Sequence, residues 1–281
     1  MTAVTETSLA AALAAGGPLL AGQTVILTGA SGGIGAAIAR LLVAAGARVA
    51  LTDLHAQPLA ELAGELRERT AAAAARTADG DGSAGAEERL FAAAVDAADH
   101  AAFAAFHADT EAALGPVDGI VNCAGLFEVR SHDQLDPAAW SRVVAANLMT
   151  AAAGCAAVLP GMIARGSGSV VNVASTAGEY GSISPAAHYA AAKGGVIGLT
   201  KSLAREAAPA QVRVNAVSPG PTETAGLRDA TPDARALAGS RTLFGRLGQP
   251  EEIAGACLFL LSPLSTFVTG HVLRVNGGAL L

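Results

Sequence analysis

The chain has few of the residues that would mark most function classes. Only 15% of its 281 positions are charged and 4% aromatic, the net charge is −6, and Lys and Arg form no cluster anywhere. A nucleic-acid or anionic-membrane surface needs such clusters, so neither partner is expected and small molecules are the default. Three cysteines, Cys123, Cys155 and Cys257, are odd in number, far apart and without C-x-x-C or His-paired spacing. That excludes a disulfide framework and a metal centre, and it predicts buried, reduced thiols in a cytoplasmic setting. No Lys or Arg precedes Arg40, so the Ala- and Leu-rich start, which carries Glu6, lacks the positive n-region of a secretory signal; residues 1–21 read as an N-terminal arm. No uninterrupted apolar run of about 20 residues is present to span a bilayer.

What is abundant is apolar residues, at 52%, and glycine, at 33 positions. This mixture fits buried parallel strands alternating with Ala-rich helices, and the length suits one large α/β domain over residues 22–281. Gln23 to Thr28 is a β-branched run between Gly22 and Gly29 and predicts a buried strand. TGASGGIG, Thr28 to Gly35, follows at once, and Ala36 to Ala45 has helical apolar spacing at Ile38, Leu41 and Leu42. Strand, glycine-rich turn and helix in that order make a phosphate cradle, with the anion on the positive helix N-terminus. Arg48 to Thr52 predicts a second strand ending in Asp53. A carboxylate there accepts hydrogen bonds from an adenosine ribose and repels a 2′-phosphate, while Gly32 offers that phosphate no cation, so NAD (NADH) is favoured over NADP. The alternative role for Asp53 is to cap the helix that begins near His55.

Further along, Pro58 to Ala75 reads as an amphipathic helix and residues 77–85 as a polar, Gly-rich loop. Strands are predicted at Phe91–Val95, ending at Asp96; at Val117–Val121, running into Asn122-Cys123-Ala124-Gly125; at Ser169–Ala174; at Gln211–Val217; and at His271–Val275. A long helix is expected from about Pro137 to Ala164, interrupted near Pro160-Gly161, with Asn147 inside it at a cost in helix propensity. Ser175 puts a hydroxyl at the C-terminal edge of a central parallel strand, where open α/β sheets bind ligands; Thr176 competes for the role. Tyr189-Ala190-Ala191-Ala192-Lys193 sets a phenol and an ammonium four positions apart, on one face of a predicted helix. A held ammonium lowers a neighbouring phenol's pKa, which makes the pair a candidate proton donor and acceptor.

Glycine turn, Asp53, Asn122, Asn147, Ser175, Tyr189, Lys193 and Pro219-Gly220 occur in the order found in the short-chain dehydrogenase/reductase family, which the chain resembles from about residue 22 onward. The resemblance implies a Rossmann-type, doubly wound, seven-stranded parallel sheet with helices on both faces. It assigns cofactor binding to Gly29, Ser31, Gly33, Ile34 and Gly35 in the turn, to Asp53, and to Asp96 beside the adenine. Asn122, Ala124 and Gly125 follow in a turn that braces the sheet, then Tyr189 and Lys193, and then Pro219, Gly220 and Thr222 around the nicotinamide, with Thr224 possible in place of Thr222. The catalytic set it implies is Asn147, Ser175, Tyr189 and Lys193, with Asn147 at a helix distortion holding a water that leads to the Lys. Three positions depart from the family pattern: Cys123 where similar sequences have Asn, alanines after Asp96, and Asn276 where they have Asp. The expected activity is hydride transfer between NAD(H) and a small secondary alcohol or ketone, in a homotetramer or dimer. A 3-oxoacyl-carrier-protein reductase is the nearest alternative, but those usually take NADPH and dock an acidic carrier on a basic patch. A non-catalytic dinucleotide sensor generally lacks the Tyr and Lys pair.

Overall fold

A computed structural model describes residues 18–77, 89–224 and 231–279. Most of the expected arm, residues 1–17, lies outside that set, as does the expected 77–85 loop beyond Thr77. The packed body reaches back to Leu20, which is fully buried and whose N–H donates to the Ala45 carbonyl at 2.9 Å.

Seven strands form one parallel sheet: β1 (Thr24–Thr28), β2 (Arg48–Asp53), β3 (Leu90–Ala94), β4 (Val117–Asn122), β5 (Gly168–Val173), β6 (Val212–Pro219) and β7 (Val272–Val275). Their order is β3-β2-β1-β4-β5-β6-β7. Side chains alternate across the sheet with a period of two. Val25, Leu27, Val49, Leu51, Val121 and Val171 face helices α1 (Gly33–Ala44), α2 (Ala56–Thr77) and α9 (Pro250–Leu261), through Ile38, Leu62 and Ile253 among others. Ile26, Ala50, Ile120 and Val170 face the opposite layer, where α3 (His100–Leu114), α5 (Thr150–Arg165) and α7 (Ala187–Ala207) supply Phe103, Met162 and Ala207. Burial on both faces explains why these strands read as continuous apolar runs rather than as alternating ones. The strand order reverses at β1 and β4, the topological switch at which sheets of this class open a ligand crevice.

The predicted long helix is broken, but not at Pro160-Gly161. Helix α4 (Pro137–Val144) passes into a π-helical turn at Ala145–Met149 and then into α5, which runs through Pro160 to Arg165. An interior proline costs about 3 kcal/mol. Fully burying an aliphatic side chain returns about 1.5–3 kcal/mol, and Val158, Leu159 and Met162 are all buried on this stretch. The wide turn falls at Asn147, whose Nδ2 donates to the Val143 carbonyl one turn back at 2.9 Å and to the Leu126 carbonyl at 2.8 Å. Residues Pro137–Arg165 are long and apolar enough to cross a membrane, yet half of that window is buried inside the domain against the sheet and its neighbouring helices. Two shorter helices, α6 (Thr176–Tyr180) and α8 (Pro232–Ser240), lie over the strand C-termini.

Candidate active site

A cleft of about 1300 Å³ runs across the C-terminal ends of the strands, larger than the ~300–1,000 Å³ typical of small-ligand pockets. Its floor is the glycine turn. Gly29 has φ +64°, and a Cβ there would sit 2.7 Å from the Ala124 Cα, so only glycine lets the ends of β1 and β4 approach this closely. The approach is held by Thr28, whose buried Oγ1 accepts the N–H groups of Cys123 and Ala124 at 3.1 and 3.0 Å. A Cβ on Gly35 would collide with the Gly29 carbonyl. Helix α1 starts at Gly33 and has no acidic residue in its first turn, so its positive end faces the cleft without a carboxylate of its own. Ser31, Gly33, Ile34 and Gly35 line the same floor. A pyrophosphate fits this cradle on three counts: glycines that leave room for it, a helix N-terminus that attracts it, and a volume that holds the rest of a dinucleotide.

Asp53 also lines the cleft, and its Oδ2 accepts from Ser31 N–H at 3.0 Å and Ser31 Oγ at 2.7 Å. Its Oδ1 accepts more weakly from His55 N–H at 3.3 Å, so the cap and the cleft share one carboxylate. Asp96 lies on the rim, exposed, accepting from Ala98 N–H at 2.9 Å. Ala124, Gly125, Pro219, Gly220 and Thr222 line the cleft as well; Thr222 Oγ1 donates to the Gly220 carbonyl at 2.9 Å. Thr224 reaches the same cleft. Asn122 does not. Its side chain is buried on the far side, where Nδ2 donates to Asn172 Oδ1 at 2.8 Å, and Asn172 in turn donates to Thr200 on α7 at 2.9 Å. Its side chain therefore braces β4, β5 and α7, and any part it takes in holding a cofactor comes through backbone position.

Ser175, Tyr189, Lys193 and Asn147 converge in the same cleft. Ser175 caps α6, its Oγ accepting from Ala177 N–H at 3.1 Å. Helix α6 is pressed onto α7 at Gly178, where a Cβ would stand 2.5 Å from the Lys193 carbonyl carbon. That contact sets Ser175 beside Tyr189, near enough for its hydroxyl to favour the phenolate. Lys193 is 4% exposed, donates from Nζ to the Val173 carbonyl at 2.8 Å, and lies 5.9 Å from the Tyr189 ring centroid. A Cβ on Gly125 would lie 2.7 Å from Asn147 Oδ1 and 3.4 Å from Lys193 Nζ, so the two flank one small space. Asn147 Oδ1 is buried and has no partner among the described residues, which leaves an acceptor aimed at that space.

Protonation departs from the sequence expectation. Burial pushes the Tyr189 phenol above its ordinary value, the neighbouring Ser175 hydroxyl opposes this, and the ammonium is not among the groups that set it. Burial likewise pulls Lys193 down, to about 8. Both groups lose water in the same cleft, and each then favours its neutral form. The half-buried Cys123 thiol, at the first family departure, is pushed up to about 11 by burial and is a poor nucleophile there.

Residues 29–279 match the family model described as enoyl-(acyl carrier protein) reductase. The chain is 37% identical to an acetoacetyl-CoA reductase of Synechocystis sp., over 91% of this chain and 95% of that protein. It is also 37% identical to 2-(S)-hydroxypropyl-CoM dehydrogenase 3 of Xanthobacter autotrophicus, over 92% and 97% of the two chains. The chain belongs to the short-chain dehydrogenase/reductase family. A crystal structure of a short-chain dehydrogenase/reductase from Brucella melitensis, described as a glucose/ribitol dehydrogenase, matches with a TM-score of 0.82 and 34% identity, covering 94% of this chain and 99% of that one. Short-chain dehydrogenases are oxidoreductases that bind a nicotinamide dinucleotide and act on small molecules. The third departure, Asn276, serves the turn after β7, accepting from Gly278 N–H at 2.9 Å.

Of the other cleft residues, Ile183 falls in the 179–188 loop expected to line the substrate pocket, and Ala238 and Arg241 in the 223–247 segment expected to cover the substrate, whereas Phe127, Val129 and Arg142 escaped the sequence reading. Those three come from segments without a motif, and only the topology gathers them. Gly178 had a signal, because it closes the Ser175-Thr176-Ala177-Gly178 turn, but the close helix contact that makes it matter is a tertiary fact.

Proposed function

We propose that this chain is an NAD(H)-dependent dehydrogenase interconverting a secondary alcohol and a ketone, with Tyr189 as the general acid and base. The observation that carries this is the convergence of Ser175, Tyr189 and Lys193 in the same cleft as the glycine cradle, with Gly125 between Ala124 at the cradle and Lys193. A bound nicotinamide dinucleotide supplies the hydride donor or acceptor. Gly29, Gly33 and Gly35 with the α1 N-terminus would hold its phosphates, Asp53 its adenosine ribose, and Pro219, Gly220 and Thr222 its nicotinamide end. Ser175 Oγ holds the substrate oxygen against Tyr189, and Tyr189 Oη gives or takes its proton. Lys193 completes the polar wall, and Asn147 Oδ1 is the acceptor through which a water would link Lys193 to solvent. With its phenol pKa raised, the ligand-free chain is a proton donor at neutral pH, the state that ketone reduction needs.

NAD over NADP rests on Asp53 and on the residues around it, since no Lys or Arg lines the cleft beside Asp53 and Asp96. Asp53→Ser removes an acceptor whose charge-assisted hydrogen bonds are worth about 1.5–3 kcal/mol each. KM for NAD is therefore expected to rise at least about tenfold, and discrimination against NADP to fall with it. Initial-rate absorbance assays with both cofactors, on a panel of alcohols and ketones that includes acetoacetyl-CoA, measure this and the activity itself. A wild-type preference for NADPH would overturn the NAD assignment. A cytoplasmic homo-oligomer is part of the same proposal. Its support is the edge strand β7, which has one neighbour, and the fully exposed Phe267 next to it.

A further inference from the structure

The two flanks of the cleft carry opposite charge. Asp53 and Asp96, at the ends of β2 and β3, are its only lining carboxylates among the described residues. Beyond β4 the lining holds Arg142 and Arg241 and no acid. Among the described residues neither Asp53 nor Asp96 forms an ion pair with either arginine, and Arg142 is paired with Glu128 instead. Arg142 Nη2 meets Glu128 Oε2 at 2.7 Å, but Glu128 also takes Arg130 Nε at 2.8 Å, and one carboxylate between two guanidiniums leaves a positive charge over.

Arg241 has no carboxylate partner among the described residues. Its backbone is nonetheless anchored: Thr242 N–H and Oγ1 both donate to the Gly239 carbonyl at 3.0 Å, and Leu243 N–H donates to Gly277 beyond β7 at 2.8 Å. The guanidinium is thus a free fork on a fixed stem. The same cleft also presents apolar side chains beside Tyr189. Phe127, edge-on to the Tyr189 ring at 5.0 Å, Val129 and Ile183 are each more than half exposed to the cleft or its mouth.

We propose that the substrate carries an oxyanion, separated by an apolar body from the carbon that reacts at Tyr189, and that Arg241 receives this anion. The proposal rests on the dehydrogenase reading of the same cleft. An unpaired guanidinium beside apolar side chains binds a carboxylate, sulfonate or phosphate through paired N–H donors, and a neutral group of the same shape leaves those donors unmet.

Calorimetric titration of the NADH-loaded protein tests it with hexanoate, octanoate and cyclohexanecarboxylate, each against its primary amide, and with coenzyme A. The acids are expected to bind about tenfold more tightly than their amides. Arg241→Gln should erase most of that preference while NADH affinity stays unchanged, and Arg142→Gln should lower it less. Arg241-dependent binding of coenzyme A without binding of the short acids would keep the anion and assign it to a nucleotide phosphate. Equal affinity for acids and amides, no binding by either them or coenzyme A, or an acid preference that survives Arg241→Gln overturns the proposal. These readouts need no turnover. Catalysis that does not depend on Tyr189, with the acid preference intact, would strike the dehydrogenase reading alone.

Discussion

Tyr189→Phe is expected to lower turnover by about 10²- to 10⁴-fold, the range ascribed to a positioned general acid or base, and to leave NADH affinity nearly unchanged. The substitution removes one oxygen and keeps the ring, so the edge contact with Phe127 at 5.0 Å survives and the cleft keeps its shape. What is lost is the phenol that stands beside Ser175 in the cleft. Single-turnover rates and fluorescence titration of NADH separate chemistry from binding. Retention of most of the activity would end the assignment. The same group sets the pH dependence of the unaltered enzyme. Since burial holds the phenol above its ordinary pKa, alcohol oxidation, which needs the phenolate, should accelerate as pH rises. Ketone reduction needs the protonated form and should hold its rate until the pH approaches that raised value. Profiles of the reverse sense would place the proton carrier elsewhere.

Lys193→Met is expected to abolish efficient turnover and, in the ligand-free protein at pH 7, to raise stability. The ammonium is 4% exposed and burial lowers its pKa from 10.5 to about 8. Below pH 8 both folded and unfolded chains carry the proton, and the folded chain bears the full cost of burying the charge. Between about 8 and 10.5 the unfolded chain binds more protons than the folded one, so stability rises with pH across that window. At 1.36 kcal/mol per pKa unit the buried charge costs roughly 3 kcal/mol. Losing the 2.8 Å hydrogen bond to Val173 returns about 1 kcal/mol of that, leaving a gain of about 2 kcal/mol. Urea unfolding at pH 7 and pH 10.5 measures it, and the gain should shrink at the higher pH. A variant less stable than the parent at pH 7 would show that the ammonium supports the fold rather than straining it. The outcome expected here, a residue that costs stability and is kept, is what a functional site predicts.

Much of this site was legible residue by residue. The glycine turn announced itself because strand, turn and helix are each local patterns, and their succession leaves few alternatives. Ser175, Tyr189 and Lys193 were legible for a similar reason: helical spacing alone puts the last two on one face, and a strand terminus puts the first at the sheet's binding edge. Asn147 drew notice as an amide costly to a helix, and the π-turn is where that cost is met. Pro160 misled for the complementary reason. Helix propensity is local, whereas the burial of Val158, Leu159 and Met162 that overrides it is not. Asn122 braces the sheet as the resemblance implied, and β4's pleat turns its side chain to the face away from the cleft.

Fold class, element order and the chemical groups available were all readable from the chain alone, because each follows from a period of two or of 3.6 residues, or from a glycine where no side chain fits. Tertiary structure decided which groups share a cleft, which of them lose water, and therefore which protonation states they prefer. Tyr189 and Lys193 stand four residues apart in either account, but the direction in which each titrates depends on what surrounds them. Burial comes from elements as distant in the chain as β4, α6 and α7, and a desolvation cost cannot be read from spacing. The same holds for Arg142 and Arg241: two unremarkable arginines in the sequence come to line one cleft only when the strand order brings their segments together.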